Sequence, residues 1–127
     1  ERAQAVTDVL AAPDLVRYSV NGAGPNALSG QVLWSRSRGV VFSGVRLPAA
    51  PASMTYQLWL LTDGLPVTAG TFAPDAGGRV TFAAEPPRIP RPVVGAAITV
   101  EPAGGSQVPS ERLLVQNRTI RPAIAAP

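Results

Sequence analysis

The sequence contains neither cysteine nor histidine. Without cysteine there are no disulfide bonds or thiol nucleophiles, and without histidine there is no serine–histidine–aspartate triad and almost no route to a zinc site. The phosphate-binding loop, the dinucleotide fingerprint and the Gly-x-Ser-x-Gly elbow are missing as well. We therefore predict that the protein is not an enzyme, has no catalytic residues and binds no metal or cofactor.

Lysine is also absent, so every basic residue is an arginine. The net charge is only +3, and the arginines are scattered along the chain instead of forming a basic block. Nucleic-acid binding leaves a concentrated basic footprint. A modestly charged surface with arginine as its cation is the better explanation, and we expect no nucleic-acid partner.

Long apolar runs are missing too. No stretch approaches the roughly 20 residues that span a bilayer, and no signal-peptide pattern is present. If the native protein is exported or anchored in a membrane, we expect the segment responsible to precede Glu1.

Glycine and proline, by contrast, are frequent. The 12 glycines and 14 prolines separate short apolar runs, which is typical of sheet proteins with many turns. The runs that we interpret as strands are Leu15–Val20, Gln31–Ser35, Val40–Val45, Thr55–Thr62, Leu65–Phe72, Arg79–Ala84, Val93–Glu101 and Arg112–Gln116. Such spacing indicates an antiparallel sandwich or barrel. We predict an all-β, antiparallel sandwich of about eight short strands, forming one domain over residues 13–116.

The strand Thr55–Thr62 is expected to lie at the centre of the fold. Its two faces carry Tyr56, Leu58 and Leu60 on one side and Gln57, Trp59 and Leu61 on the other. Both faces are mostly apolar, and a strand of that kind belongs between two layers of a core. Asp63-Gly64 follows as a tight turn, so Leu65–Phe72 is expected to pair back on the central strand.

The two ends of the chain are predicted to lie outside the sandwich. Residues 1–12 are rich in helix formers and end at Pro13, so they form either a short helix or an extended lead-in. Residues 117–127 are expected to form a tail.

Three residues of the central strand are candidates for a specific role. Trp59 is either a ligand-stacking residue or part of the core, and its apolar neighbours favour the core. Tyr56 and Gln57 bring polar atoms into a buried strand, where those atoms need partners, so we expect both side chains to tie loops to the sheet.

Glu101 is the most informative charge, because it ends an apolar strand and precedes a Gly104-Gly105 turn. A glycine turn can present several backbone N–H groups to an anion. We predict that the Glu101 carboxylate accepts those amides and holds the turn. The alternative, a catalytic acid, lacks a second carboxylate or base nearby in the sequence.

Three stretches carry a resemblance to a known family. They are Leu-Ala-Ala-Pro-Asp at Leu10–Asp14, Thr-Tyr-Gln-Leu-Trp-Leu-Leu at Thr55–Leu61 with Ala-Gly-Thr-Phe at Ala69–Phe72, and Ile-Thr-Val-Glu-Pro-Ala-Gly-Gly-Ser at Ile98–Ser106. In this order and spacing they resemble the C-terminal, extracytoplasmic domain of the anti-sigma-K factor family. The signature residues of the resemblance are Tyr56, Gln57, Trp59, Glu101, Gly104 and Gly105.

The resemblance implies a bacterial, membrane-anchored regulator of transcription. Its expected partners are a cognate sigma factor, bound by a cytoplasmic segment upstream of these residues, and a regulatory protease that releases the sigma factor. It further implies a membrane helix upstream of residues 1–12, with this domain on the extracytoplasmic side. The alternative is a free exported binding module that uses an apolar cleft between its sheets for a small ligand or a protein partner.

Overall fold

The computed structural model describes residues 2–110 and 113–118. Within them lie one helix and eight strands. In chain order these are α1 (Arg2–Leu10), β1 (Val16–Asn21), β2 (Ser29–Ser35), β3 (Gly39–Val45), β4 (Met54–Leu61), β5 (Val67–Phe72), β6 (Val80–Ala84), β7 (Gly95–Pro102) and β8 (Leu113–Arg118). All eight predicted strands are confirmed, with shifts of one or two residues at most ends. Residues 119–127 of the predicted tail lie outside the described residues.

The strands form two antiparallel sheets, which confirms the predicted sandwich. The first sheet has the order β1-β2-β3-β6 and the second the order β5-β4-β7-β8. The chain crosses between the sheets after β3, after β5 and again after β6, so neither sheet is built from one continuous segment. As predicted, β2 pairs with β3 and β4 pairs with β5.

The central position of β4 is confirmed. It pairs with β5 along one edge and with β7 along the other, and its residues 56–61 are buried. Tyr56, Leu58 and Leu60 face the main core between the sheets. Both neighbours are needed to satisfy the backbone hydrogen-bonding groups of a strand that water does not reach.

Aromatic rings fill the core beside β5 and β6. Phe72 lies 5.3 Å from Phe42 and 5.5 Å from Phe82, measured between ring centroids, and all three pairs it makes are tilted. Gly70 of β5 makes the contact possible, because a Cβ there would lie 2.7 Å from the Phe82 ring and the residue has a φ of 127°. These rings therefore pack against one another in the core between the sheets.

Helix α1 covers part of the outer face of the first sheet. Val9 is buried against Leu33 and Val41, with Val6 and Ala83 alongside. Leu33, Val41 and Ala83 are register partners on β2, β3 and β6, so they form one apolar row across the sheet. Residues 2–10 thus adopt the helical alternative, and the helix ends before Pro13, as its ring requires.

Candidate functional site

The outer face of the second sheet carries a buried carboxylate. Residues 97, 99 and 101 of β7 point away from the main core, because Ile98 and Val100 point into it. Glu101 is the last of the three, and none of its surface is exposed to solvent. A fully buried carboxylate is unusual and needs hydrogen-bond donors to offset the loss of water.

Five residues form what we call the Glu101 network: Trp59, Thr99, Glu101, Ser106 and Ser110. The Trp59 indole N–H donates to the Thr99 hydroxyl over 2.8 Å, and that hydroxyl donates to the carboxylate in turn. The carboxylate also accepts the Ser106 hydroxyl at 2.8 Å and the Ser110 amide at 2.9 Å. The network therefore joins β4, β7 and the segment that follows β7.

That segment, which we call the 103–110 loop, is held a second time by Gln57. The Gln57 amide nitrogen donates to the Ser106 carbonyl and to the Thr68 hydroxyl, and its oxygen accepts the Ser106 amide. The expectation that Gln57 ties a loop to the sheet is confirmed.

The donors to Glu101 differ from those predicted. We expected the amides of Gly104 and Gly105, but the Gly105 amide donates to the Pro102 carbonyl within the turn. Gly105 has a φ of 86°, and a Cβ there would lie 3.1 Å from the Gln57 Oε1 atom. The glycine turn thus lets the backbone pass close over β4 and delivers Ser106, whose hydroxyl binds the carboxylate.

The pKa of Glu101 reflects two opposed effects. Burial raises it, because the charged form loses its hydration. The hydrogen bonds from Ser110, Thr99 and Ser106 stabilise the charged form and outweigh burial, so the pKa is lowered from its ordinary value of 4.5. Glu101 is therefore a carboxylate at neutral pH, held by neutral donors.

The remaining predicted residues are placed as follows. Trp59 is completely buried, with Leu61, Ala97 and Val94 around it, which confirms its place in the core. The Tyr56 hydroxyl donates to the Pro48 carbonyl over 2.6 Å and so ties the connection between β3 and β4 to the sheet. Burial raises the pKa of Tyr56. We expected an apolar layer on each face of β4. The layer on the face that carries Gln57 is instead held partly by hydrogen bonds.

Two residues that the sequence did not single out hold the opposite end of the sandwich. Arg36 donates to the carbonyls of Ile89 and Arg91 and so fixes the proline-rich connection between β6 and β7. Asp14 accepts the hydroxyls of Ser35 and Ser37, which hold its pKa below the ordinary value. No local pattern marks these contacts, since they join segments far apart in the chain.

The arrangement at Glu101 suits a structural lock better than a reaction. In residues 3–110, every buried side-chain nitrogen or oxygen has a hydrogen-bond partner, so none is left to receive a ligand. The same part of the chain contains no group of three or more acidic, histidine or cysteine side chains that could hold a metal ion. Aromatic and aliphatic side chains occupy the main core between the sheets. A cavity of about 520 Å³ opens between β5 and β6, and its lining includes Thr71, Asp75 and Arg79, so it is not the purely apolar cleft expected for a binding module.

No helix within the described part of the chain is long and apolar enough to cross a membrane. The nine-residue helix α1 has mixed polarity and packs on the sheet through one side.

Comparison with known proteins identifies one family. The sequence profile described as "Anti-sigma-K factor rskA, C-terminal" matches residues 1–113, which extend from the start of α1 to the start of β8. No curated protein and no solved structure matches the chain.

Proposed function

This chain belongs to the family of anti-sigma-K factor RskA C-terminal domains, and from that premise we propose that it is the extracytoplasmic domain of a membrane-anchored anti-sigma factor. The family match over residues 1–113 is the observation that carries the proposal. An anti-sigma regulatory role and a sigma-factor partner follow from the family. The placement outside the membrane and the control by proteolysis are the proposed part.

In this proposal the sigma factor is bound elsewhere in the polypeptide. A cytoplasmic segment upstream holds the sigma factor, a membrane helix follows, and the sandwich lies on the far side. The sandwich then acts as a folded block that a regulatory protease meets first. A compact domain is cleaved mainly through its open fraction, so its stability sets how often the anchored protein is cut.

Two features of the sandwich fit a block of this kind. Its central strand β4 is paired on both edges and buried on both faces, so an unfolding event is needed to expose it. Hydrogen bonds from Tyr56, Gln57 and Glu101 hold loops against the sheets. They restrict the motion of segments of the kind that proteases usually cleave in a folded domain.

The proposal is tested in the complete membrane protein, with a reporter gene driven by the cognate sigma factor. Leu58→Ala removes a fully buried core side chain and should destabilise the domain by about 2–5 kcal/mol. We expect faster cleavage and higher reporter activity. Leu65→Ala is the matched control, because Leu65 is 77% exposed and its loss should change stability by less than about 0.5 kcal/mol.

Either of two results would contradict the proposal. One is a cytoplasmic location of this domain, measured by the accessibility of a tag at residue 104 to a reagent that does not cross membranes. The other is an unchanged amount of intact protein in the Leu58→Ala strain although the purified variant is destabilised.

A further inference from the structure

Helix α1 is attached to the sandwich through side chains, whereas every strand is attached through backbone hydrogen bonds. Each strand shares a ladder of backbone hydrogen bonds with its neighbours. The helix is held mainly through Val9 and Val6 on the apolar row of the first sheet, and by the Arg38 guanidinium, which donates to the Asp8 carbonyl over 3.1 Å. Its release would therefore leave every sheet hydrogen bond in place.

A released α1 would not stay helical. An isolated helix of nine residues is unstable in water, because few hydrogen bonds follow the costly first turn. Undocking and unwinding are therefore one event. Segments with few buried apolar contacts open far more often than a whole domain unfolds. Residues 2–12 therefore become an extended chain while the sandwich remains folded, and Asp14 stays bound to Ser35 and Ser37.

The topology makes a cut in this segment different from a cut anywhere else. The chain passes between the two sheets three times, so a break in a loop between strands leaves both pieces bound through their sheet partners. A break between residues 2 and 12 separates the entire sandwich from whatever precedes it. Only the latter removes the folded block in one step.

We propose that residues 2–12 are the site of the regulated cut and that the docking of α1 on the first sheet controls it. This inference rests on the proposed function. An endopeptidase on the same side of the membrane hydrolyses one peptide bond in the undocked segment. Water is consumed, and the products are a new carboxylate on the anchored piece and a new amine on the released sandwich.

The docking step is measured first, on the chain alone, by thiol labelling. Because the chain has no cysteine, Val9→Cys introduces a single thiol under the helix, and Val32→Cys places one in the main core, where none of the side chain is exposed. We expect Val9→Cys to react at least tenfold faster than Val32→Cys. Leu10→Cys, on the half-exposed side of the same helix, gives the rate for an accessible thiol.

Equal labelling rates at positions 9 and 32 would overturn the inference, because the helix would then open only when the domain unfolds. Hydrogen exchange of the unaltered chain measures the same event without a substitution. The Ala11 amide, bonded to the Thr7 carbonyl, should exchange at least tenfold faster than the amide of Phe42 in β3.

The position of the cut is mapped next. The chain is treated with a broad-specificity endopeptidase, and the fragment masses are measured by mass spectrometry. The first cleavage should fall between residues 2 and 12. Val9→Ser should speed that cleavage about tenfold, since it removes two buried methyl groups and buries a hydroxyl. The same change at the half-exposed Leu10 should speed it less than about threefold. A first cut in a loop between strands, or an unchanged rate in Val9→Ser, would overturn the inference.

These outcomes separate the inference from the proposed function. Labelling, exchange and fragment mass require no sigma factor and no membrane. If α1 opens as expected but neither Val9→Ser nor Leu58→Ala changes the sigma-dependent reporter in the complete protein, the proposed function fails. If the reporter responds to Leu58→Ala but not to Val9→Ser, the regulated cut lies elsewhere.

Discussion

The two outer faces of the sandwich are covered by different kinds of contact. Helix α1 covers the first sheet through Val9 and Val6, a contact of apolar surface with one hydrogen bond from Arg38. The 103–110 loop covers the second sheet through the hydrogen bonds of Gln57 and Glu101. An apolar contact can open in part, and the free energy that is lost is then proportional to the apolar area that becomes exposed to water.

The hydrogen-bonded cover behaves differently. If the 103–110 loop lifts away, the Glu101 carboxylate loses its donors from Ser106 and Ser110, and Gln57 loses its two hydrogen bonds to Ser106. Buried polar groups without partners carry a large penalty until water reaches them. We therefore expect the loop to remain closed until the second sheet itself opens, whereas α1 opens earlier.

The largest expected effect concerns the carboxylate itself. Glu101→Ala should lower the free energy of unfolding by about 2–3 kcal/mol, because it leaves the Ser106 and Thr99 hydroxyls and the Ser110 amide without their acceptor. Urea denaturation followed by tryptophan fluorescence measures the change. Glu85→Ala, at an exposed position after β6, is the control and should stay within about 0.5 kcal/mol. Equal losses of unfolding free energy in Glu101→Ala and Glu85→Ala would remove the distinction between the hydrogen-bonded cover and the apolar cover.

A double-mutant cycle sharpens the comparison, with an effect of intermediate size. Gln57→Ala and Glu101→Ala both release the loop at Ser106, so their losses in unfolding free energy should fall short of additivity by about 1 kcal/mol. Val9→Ala, under the other cover, should combine with Glu101→Ala additively to within about 0.5 kcal/mol. Coupling between positions 9 and 101 as strong as that between 57 and 101 would show that the two covers are not independent.

The smallest expected effect is a dependence of stability on pH. The pKa of Glu101 is lowered from 4.5 in the folded state, so its contribution is complete above that value and is lost as the pH falls through the lower, folded pKa. Unfolding free energy measured from pH 7 to pH 3 should therefore decline less steeply in Glu101→Gln than in the unaltered chain. Asp14 also has a lowered pKa, so Asp14→Asn is measured beside it to separate the two contributions. Parallel curves for Glu101→Gln and the unaltered chain would contradict this assignment.

Much of the fold could be predicted from short-range patterns. The alternation of side chains in Thr55–Thr62, with few polar residues on either face, predicted a central strand, and β4 is paired on both edges. The Asp63-Gly64 turn predicted the β4–β5 hairpin, and Pro13 predicted the end of any N-terminal helix. These features depend on residues within a few positions of one another, where backbone geometry dictates the outcome.

The site was predicted only in part. The sequence indicated that Gln57 and Glu101 would need partners, because both lie on buried strands. It did not identify those partners, since Ser106 reaches Gln57 across 49 positions of the chain and Trp59 reaches Thr99 across 40. The expected donors from the glycine turn were wrong, because the Gly105 amide is used by the nearby Pro102 carbonyl.

Sequence alone determined the strands, the turns, the sandwich class and the membership of an anti-sigma family, since alternation, turn residues and motif spacing are written along the chain. The tertiary structure decided that a buried carboxylate fastens the 103–110 loop and that α1 rests on an apolar row drawn from three strands. The physical reason is that burial and hydrogen bonding depend on segments brought together by the sheets, and a linear pattern does not record which distant group will lie within 3 Å.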